Sequence, residues 1–190
     1  MEHANMATHL QDQVLDSHTP IEDDQEIQVI AMDLLSGLQY IHSKGVIHCD
    51  FKLDNILAHK EDDDKYPIYK ICDFGLAHQI STKYGNKALK NNIVGTWGYI
   101  APEVRSKPTI GWEIDMWSFG LTLYEMCVAY KPNQVKNYSY ESGDIPFRKY
   151  DWRGKSEELK NLISDCLRLD PDERITAEDA LQHPYFTQQV

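Results

Sequence analysis

The sequence lacks the features that mark membrane-spanning, nucleic-acid-binding and zinc-binding proteins. No run of 18 apolar residues occurs, although a membrane helix needs about that length. The 19 basic residues are outnumbered by 30 acidic ones, and a formal net charge of −11 offers no basic face for nucleic acid. The four cysteines form no CxxC pair, which argues against a zinc or redox site. We therefore expect free thiols in a reducing cytoplasm, and no secretion signal in the polar first residues.

What the sequence does contain is apolar material for one packed domain of 190 residues, 42% of them hydrophobic. Residues 21–44 predict a long helix, because six apolar side chains recur there at helical spacing. They are Ile27, Ile30, Leu34, Leu35, Leu38 and Ile41. Acidic residues at 23, 24 and 26 favour the first turn, and Gly45 is expected to end the helix.

The middle of the chain predicts a strand pair followed by a long loop. After a short extended piece at Val46 and Ile47, residues 56–58 and 68–71 are expected to form a hairpin, joined by the acidic turn at 61–64. Residues 73–103 show no clear periodicity, which indicates a long loop, and such loops in compact domains are usually functional or disordered.

Helices are expected again in the last part of the chain. Residues 115–130 are apolar on most sides, which predicts a buried helix. Ser156 is a candidate cap for the next helix, and Thr176 with Asp179 resembles a capping box for a last short helix that ends at His183 and Pro184. The expected fold class is therefore mostly α with one small β-hairpin.

Several short motifs follow one another in a fixed order. Residues 48–55 read His-Cys-Asp-Phe-Lys-Leu-Asp-Asn and fit the pattern H-x-D-x-K-x-x-N. Asp-Phe-Gly at 73–75, Ala-Pro-Glu at 101–103, Asp-Met-Trp-Ser-Phe-Gly at 115–120 and Arg174 come next. One of these motifs alone is weak evidence, but the ordered set resembles the eukaryotic serine/threonine protein kinases. The resemblance covers nearly the whole chain as a partial kinase domain over 1–190, with a catalytic loop at 48–55 and an activation segment at 73–103.

The resemblance implies a fold like the kinase C-terminal lobe, within an α+β complete domain, and transfer of the ATP γ-phosphate to protein hydroxyls. Such transfer depends on positioning and charge neutralisation more than on covalent chemistry. Asp50 would orient the acceptor hydroxyl and accept its proton, while Lys52 would face the charge of the transferring phosphate. A lysine at this position is typical of serine/threonine kinases. Thr96 lies in the segment expected to seat the acceptor residue and would contact both of these side chains.

ATP and Mg²⁺ are the implied cosubstrate and metal. Asn55 and Asp73 would supply oxygen ligands, which Mg²⁺ prefers. Leu57 would form the floor of the adenine pocket, although an ordinary core leucine would look the same. Cys72, directly before Asp73, would border that pocket, with an inert strand cysteine as the alternative. Asn5 would lie near the ribose.

Other residues are expected to support the site without touching substrate. The family suggests a structural role for His48 in the internal spine of the domain, rather than that of a general base. Asp115 would anchor the catalytic-loop backbone, although a simple acid at a helix N-terminus remains the alternative. Glu103 and Arg174 would form a buried ion pair whose loss destabilises the domain.

Two departures from the family pattern concern the activation segment. Arginine usually precedes the catalytic aspartate and pairs with a phosphorylated residue of that segment, but here Cys49 occupies its place. The usual phosphosite falls on Asn92, which has no hydroxyl. The segment is therefore expected to be ordered in another way. Its lysines at 83, 87 and 90 are candidates to tether it to acidic surface, and Ser81 and Thr82 remain possible sites of other modification.

The start of the chain is a third departure. No Gly-rich loop and no V-A-I-K lysine precede the long helix, and residues 1–10 resemble the kinase hinge and the first helix of the C-terminal lobe. Two hypotheses follow. The first is a protein serine/threonine kinase that is present as a fragment, which alone transfers phosphate slowly or not at all. The second is a non-catalytic interaction module that reuses the surface of the C-terminal lobe.

Overall fold

The computed structural model describes residues 8–16, 19–60, 66–81, 83, 87–89, 95–131, 134 and 145–187. Some residues discussed above lie outside the described residues: Asn5, the acidic turn at 61–64, Thr82, Lys90 and Asn92.

Helix α1 spans Asp24–Ser43 and confirms the predicted long helix with slightly shorter bounds. Asp23 caps it by accepting a hydrogen bond from the Gln25 backbone N–H at 2.9 Å. Five of the six predicted apolar positions are fully buried, and Ile41 packs against the core from a partly buried position. The stripe faces the core because these residues recur every three or four positions.

The predicted hairpin is present as strands β3 (Ile56–His59) and β4 (Ile68–Ile71), paired antiparallel from Ile56 opposite Ile71. The expectation of a single hairpin is incomplete, however. Strand β1 (Thr8–His9) pairs with β3, so the order of this sheet is β1-β3-β4. The structure thus places extended backbone within residues 1–10, where the sequence suggested a hinge followed by a helix. A short π-helical segment follows at Asp12–Asp16.

Two further strand pairs involve the segment that was expected to be an unpatterned loop. Strand β2 (Val46–Ile47) pairs antiparallel with β5 (His78–Gln79). Strand β6 (Ala88–Leu89) pairs antiparallel with β7 (Thr109–Ile110). Strands of two residues are too short to show a sequence period, and their pairing fixes the loop backbone at two places.

The remaining helices include one that is buried along its whole length. Helix α2 spans Glu103–Ser106, and α3 spans Glu113–Val128, beginning two residues before the predicted start. All 16 residues of α3 are buried, which confirms the predicted central helix. Helix α4 (Glu157–Cys166) packs against it, and the Ser156 hydroxyl caps α4 by accepting from the Leu159 N–H.

The C-terminal part contains one more helix than the sequence suggested. Thr176 caps α5 (Ala177–Ala180) by accepting from the Asp179 N–H at 3.0 Å, as the capping pattern predicts. Pro184 was expected to end the helical region, but it instead begins α6 (Pro184–Thr187). Proline is well suited to a first helical position because its missing N–H would have no partner there. Among the described helices, none has the length and hydropathy needed to span a membrane.

Candidate active site

The backbone of residues 48–55, the expected catalytic loop, is fixed by a carboxylate of the buried helix α3. Asp115, 1% exposed, accepts hydrogen bonds from the backbone N–H groups of His48 and Cys49, each at 2.8 Å. It also pairs with His42 Nε2 at 2.9 Å. These bonds hold Cys49 in a left-handed conformation with φ of 68°. The predicted anchoring contact of Asp115 is thus present, and the loop leaves β2 in a defined direction.

Asp50, Lys52 and Thr96 form one connected group. Thr96 donates to Asp50 Oδ1 twice, from its backbone N–H at 2.8 Å and from its hydroxyl at 2.6 Å. Lys52 Nζ lies 2.6 Å from the Thr96 hydroxyl oxygen and 3.1 Å from Asp50 Oδ2. The double contact predicted for Thr96 is therefore present, across a separation of more than 40 residues along the chain.

The charge state of Asp50 follows from these partners. Partial burial raises the pKa of Asp50, but the hydrogen bonds from Thr96 and Lys52 and the positive charge of Lys52 outweigh it, so that the pKa lies below its ordinary value. Asp50 is therefore a carboxylate at neutral pH. It can accept a hydrogen bond from an incoming hydroxyl group.

His48 lies behind this group and is fully buried. Its Nδ1 accepts from the Asp50 backbone N–H at 3.2 Å, and its Nε2 donates to the Cys72 carbonyl at 3.0 Å. Its ring meets that of Phe74 edge-on, with 5.0 Å between centroids. Because both ring nitrogens are engaged by backbone, the contacts agree with the structural role expected for His48 and leave no nitrogen to accept a substrate proton.

Asn55 and Asp73 are the candidate magnesium ligands. Asn55 Nδ2 donates to the Asp50 carbonyl at 2.8 Å and to Asp50 Oδ2 at 3.2 Å, which directs the amide oxygen away from Asp50. Asp73 is exposed, with φ of 59°, and its Oδ1 accepts from the Gly75 N–H. The two stretches of chain are joined by the Cys72 N–H, which donates to the Asn55 carbonyl at 2.9 Å.

This arrangement fits Mg²⁺ by the chemistry of its donors. The amide oxygen of Asn55 receives no hydrogen bond from any residue in the described part of the chain, and Asp73 Oδ2 likewise receives none. Both are hard oxygen donors of the kind that Mg²⁺ binds together with phosphate and water. Clusters of three or more His, Cys, Asp or Glu side chains able to hold a metal do not occur among the described residues, so a cage made by the protein alone is not indicated there.

The residues expected to border the nucleotide lie close to these ligands in the chain. Leu57 is half-buried and lies between the buried Ile56 and Ala58, so it points to the opposite face of the sheet from the core. Cys72 is half-buried at the end of β4. Burial, and then the charge of Asp73, raise the pKa of the Cys72 thiol. A wall for a nucleotide here remains a proposal.

The segment that is expected to seat the acceptor residue has supporting contacts that the sequence did not predict. The Tyr99 hydroxyl donates to Glu125 Oε2 at 2.5 Å, and the Ser118 hydroxyl donates to the Tyr99 carbonyl at 2.8 Å. Beside them, Trp97 is 66% exposed, with the Arg105 guanidinium 4.4 Å from its ring centroid. A glutamate such as Glu125 in a helix that is predicted to be buried indicates that a hydrogen-bond partner exists, although it does not identify Tyr99 as that partner.

The end of the segment is fixed by the predicted ion pair. Arg174 donates to both carboxylate oxygens of Glu103, at 2.6 and 3.1 Å, and both side chains are buried. Arg174 also donates to the Glu113 and Arg168 carbonyls, and its guanidinium lies 5.0 Å from the Trp117 ring centroid. The pair thereby joins α2, the start of α3 and the loop before α5.

Comparison with known proteins gives these contacts a family context. The chain is 37% identical to a probable serine/threonine-protein kinase, CCRP1, of Zea mays over 85% of its own length and 25% of that protein. It is 36% identical to the serine/threonine-protein kinase pakE of Dictyostelium discoideum, over 86% of the chain and 17% of that protein.

A third relative is the calcium/calmodulin-dependent protein kinase type II alpha chain of Drosophila melanogaster, 34% identical over 82% of the chain and 29% of that protein. The chain thus spans about a quarter of the length of the curated relatives it matches. The sequence pattern of the protein kinase domain family matches residues 1–186. The resemblance to serine/threonine protein kinases is thereby confirmed, and the chain belongs to the protein kinase family.

Proposed function

We propose that this chain carries the catalytic loop and substrate-seating segment of an ATP-dependent protein serine/threonine kinase. The observation that carries the proposal is the connected group of Asp50, Lys52 and Thr96, in which a carboxylate, an ammonium group and a hydroxyl meet within 3.1 Å. The three named relatives are themselves serine/threonine or calcium/calmodulin-dependent protein kinases.

The chemistry that these residues support is an in-line displacement. The oxygen of a substrate serine or threonine hydroxyl attacks the γ-phosphorus of ATP, the bond from phosphorus to the bridging oxygen breaks, and ADP leaves. Asp50 accepts the hydrogen bond of the hydroxyl group and then its proton. Lys52, 16% exposed, supplies positive charge next to the transferring phosphoryl group. Mg²⁺, held by Asn55 and Asp73, would neutralise phosphate charge when bound.

Thr96 is proposed to position the acceptor segment rather than to react. Its hydroxyl already donates to Asp50 and accepts from Lys52, so neither bond needs a substrate. The protein substrate would therefore meet a carboxylate whose orientation is set in advance, which lowers the cost of reorganisation during the reaction. The four cysteines are free thiols, which favours a reducing compartment such as the cytoplasm for this activity.

The test is phosphate transfer from labelled ATP to serine-, threonine- and tyrosine-containing peptides, with the natural protein that contains this chain. Asp50→Asn keeps the size of the side chain but removes its charge, and we expect turnover to fall about a hundredfold or more. Asp172→Asn makes the same charge change at an exposed loop position and should leave turnover unchanged. Near-normal transfer by Asp50→Asn, or transfer to tyrosine alone, would contradict the proposal.

A further inference from the structure

In the segment expected to be the activation segment, residues 73–103, several of the described residues make contacts that hold the backbone without a phosphate group. Lys87 Nζ lies 3.0 Å from Glu113 Oε1, so this lysine pairs with an acidic residue, but with a buried carboxylate rather than with the acidic surface that was expected. The next two residues form β6 and pair with β7, with Ala88 opposite Ile110. Directly before β6, the Lys87 carbonyl accepts a hydrogen bond from the Ser81 backbone N–H at 3.1 Å. The ion pair and the strand pairing thus fix the same short stretch of backbone.

Glu113 is placed for this contact by its neighbours. Its side chain is 7% exposed, and within the described part of the chain Lys87 is the basic side chain that pairs with it. A Cβ atom at Gly111 would lie 2.0 Å from Glu113 Oε2, so the carboxylate occupies space that only glycine leaves open. A buried carboxylate without a partner is costly, and this cost keeps Lys87 in place.

The backbone of Glu113 serves the other end of the segment. Its carbonyl accepts from Arg174 Nη1 at 2.7 Å, and the same guanidinium binds Glu103. One residue at the start of α3 therefore connects the middle of the activation segment to its end. Thr96 lies between these two fixed points and reaches Asp50 from there.

The position where the family places its phosphate-binding arginine is electrically neutral here. Cys49 is 6% exposed, with Sγ 3.6 Å from both the Ile47 carbonyl and His78 Nδ1. Burial, followed by the charge of Asp115, raises the pKa of the Cys49 thiol far above neutral pH. This side chain offers no positive charge to a phosphate group.

We propose that Lys87 and Glu113 are positioning residues, whose ion pair and adjoining β6–β7 strand pair hold the activation segment so that Thr96 rests on Asp50 without a phosphate group. The proposal rests on the proposed kinase function for its consequence, since the segment carries Thr96. Its physical content, the order of the segment in the protein without nucleotide, is independent of catalysis.

Amide hydrogen exchange of the protein without nucleotide tests the ordering. Lys87→Glu should raise exchange at the Ser81 amide at least tenfold, because like charges would then face each other. The Ile80 amide, which donates to the Gly45 carbonyl, is an internal control and should change less than threefold. The double reversal Lys87→Glu/Glu113→Lys should restore Ser81 to within threefold of the unsubstituted protein. Lys160→Glu/Glu157→Lys, at an exposed pair, should have no effect.

Glu113 is buried, so Glu113→Lys alone or in the double variant could prevent folding; Lys87→Met, at a partly exposed side chain, then provides the decisive measurement. Unchanged Ser81 exchange in Lys87→Met would overturn the proposal, as would a folded double variant that exchanges as fast as Lys87→Glu. For activity, kcat/KM should fall about tenfold in Lys87→Glu and recover in the double variant, before and after phosphatase treatment. If Lys87→Glu exchanges faster at Ser81 but the unsubstituted protein never transfers phosphate, the kinase proposal is refuted. The proposal that the ion pair orders the segment then still stands.

Discussion

The Arg174 guanidinium donates two hydrogen bonds to the Glu103 carboxylate, one to each oxygen, and no part of the Arg174 side chain is exposed. Such a bidentate geometry is the strongest form of the interaction. Its value appears when one partner is removed, because the other charge is then left buried and unpaired.

We expect Glu103→Ala to lower the free energy of unfolding by about 3–5 kcal/mol. Urea unfolding followed by circular dichroism measures this change. Glu157→Ala, which removes the exposed partner of Lys160, serves as the control and should cost less than about 1 kcal/mol. Equal losses in the two variants would show that the buried pair contributes no more than a surface one.

A second prediction concerns the pH dependence of stability at Glu125. Burial raises the pKa of Glu125 from its ordinary value of 4.5 to about 7, although the Tyr99 hydrogen bond opposes the shift. The folded protein thus holds this proton more tightly than the unfolded chain. The associated stability is fully present below pH 4.5 and is lost as the pH rises through 7.

Glu125→Gln keeps an acceptor for Tyr99 but cannot ionise. The unfolding free energy of the unsubstituted protein should therefore fall relative to that of Glu125→Gln between pH 5 and 8, by on the order of 3 kcal/mol at most. Denaturant titrations at several pH values give the difference, from which the other titrating groups cancel. Parallel pH curves for the two proteins would contradict the assignment.

The chain offers a matched pair of glycines for a third prediction. Gly95 and Gly154 both have positive φ, of 102° and 82°. A Cβ atom at Gly95 would lie 2.7 Å from the Cys49 carbonyl oxygen, whereas one at Gly154 would meet nothing within 4 Å. Substitution by alanine strains the backbone in both, by roughly 1–2 kcal/mol.

Gly95→Ala should therefore destabilise the protein more than Gly154→Ala, and the excess measures the close approach of the acceptor-seating segment to the catalytic loop. Because Gly95 precedes Thr96, this variant should also lose phosphotransfer activity, while Gly154→Ala should retain it. Thermal unfolding and peptide kinase assays provide the two readouts. Equal losses of stability and activity in the two variants would mean that the backbone near Cys49 moves aside at little cost.

A fourth prediction ranks the thiols. Cys72 is half-buried, whereas Cys49, Cys127 and Cys166 are buried. Iodoacetamide should therefore modify Cys72 first, but slowly, because burial and Asp73 raise the pKa of its thiol and reduce the thiolate fraction. The rate should keep rising as the pH is increased above 8. Mass spectrometry of a labelling time course follows each cysteine separately, and earlier modification of Cys127 or Cys166 would contradict the ranking.

Binding of MgATP should protect Cys72 from that modification if this residue borders the nucleotide. Cys72→Ser is the matched variant, and it should abolish the early labelling without unfolding the protein. Labelling that MgATP leaves unchanged would remove Cys72 from the proposed nucleotide wall.

Much of this structure could be predicted because the relevant signals are local. The apolar spacing of α1 and the caps at Ser156 and Thr176 each involve residues only a few positions apart in the chain. The motif residues Asp50, Lys52 and Thr96 could be connected only through the family resemblance, since more than 40 residues separate the first two from the third.

What the sequence did not predict depends on tertiary partners. The pairing of β6 with β7 joins strands of two residues, which are too short to show alternation. The early start of α3 at Glu113 is hidden because a glutamate normally indicates exposed surface. The ion pair with Lys87 and the missing side chain at Gly111 both accommodate its burial.

The Glu113 carboxylate occupies the space next to Gly111, so the residues at positions 87, 111 and 113 depend on one another. An alanine at 111 would force the carboxylate to shift, and a neutral residue at 113 would remove the charge that pairs with Lys87. We therefore expect that, among related sequences without the arginine before the catalytic aspartate, glycine at 111, glutamate at 113 and lysine at 87 are present together or absent together.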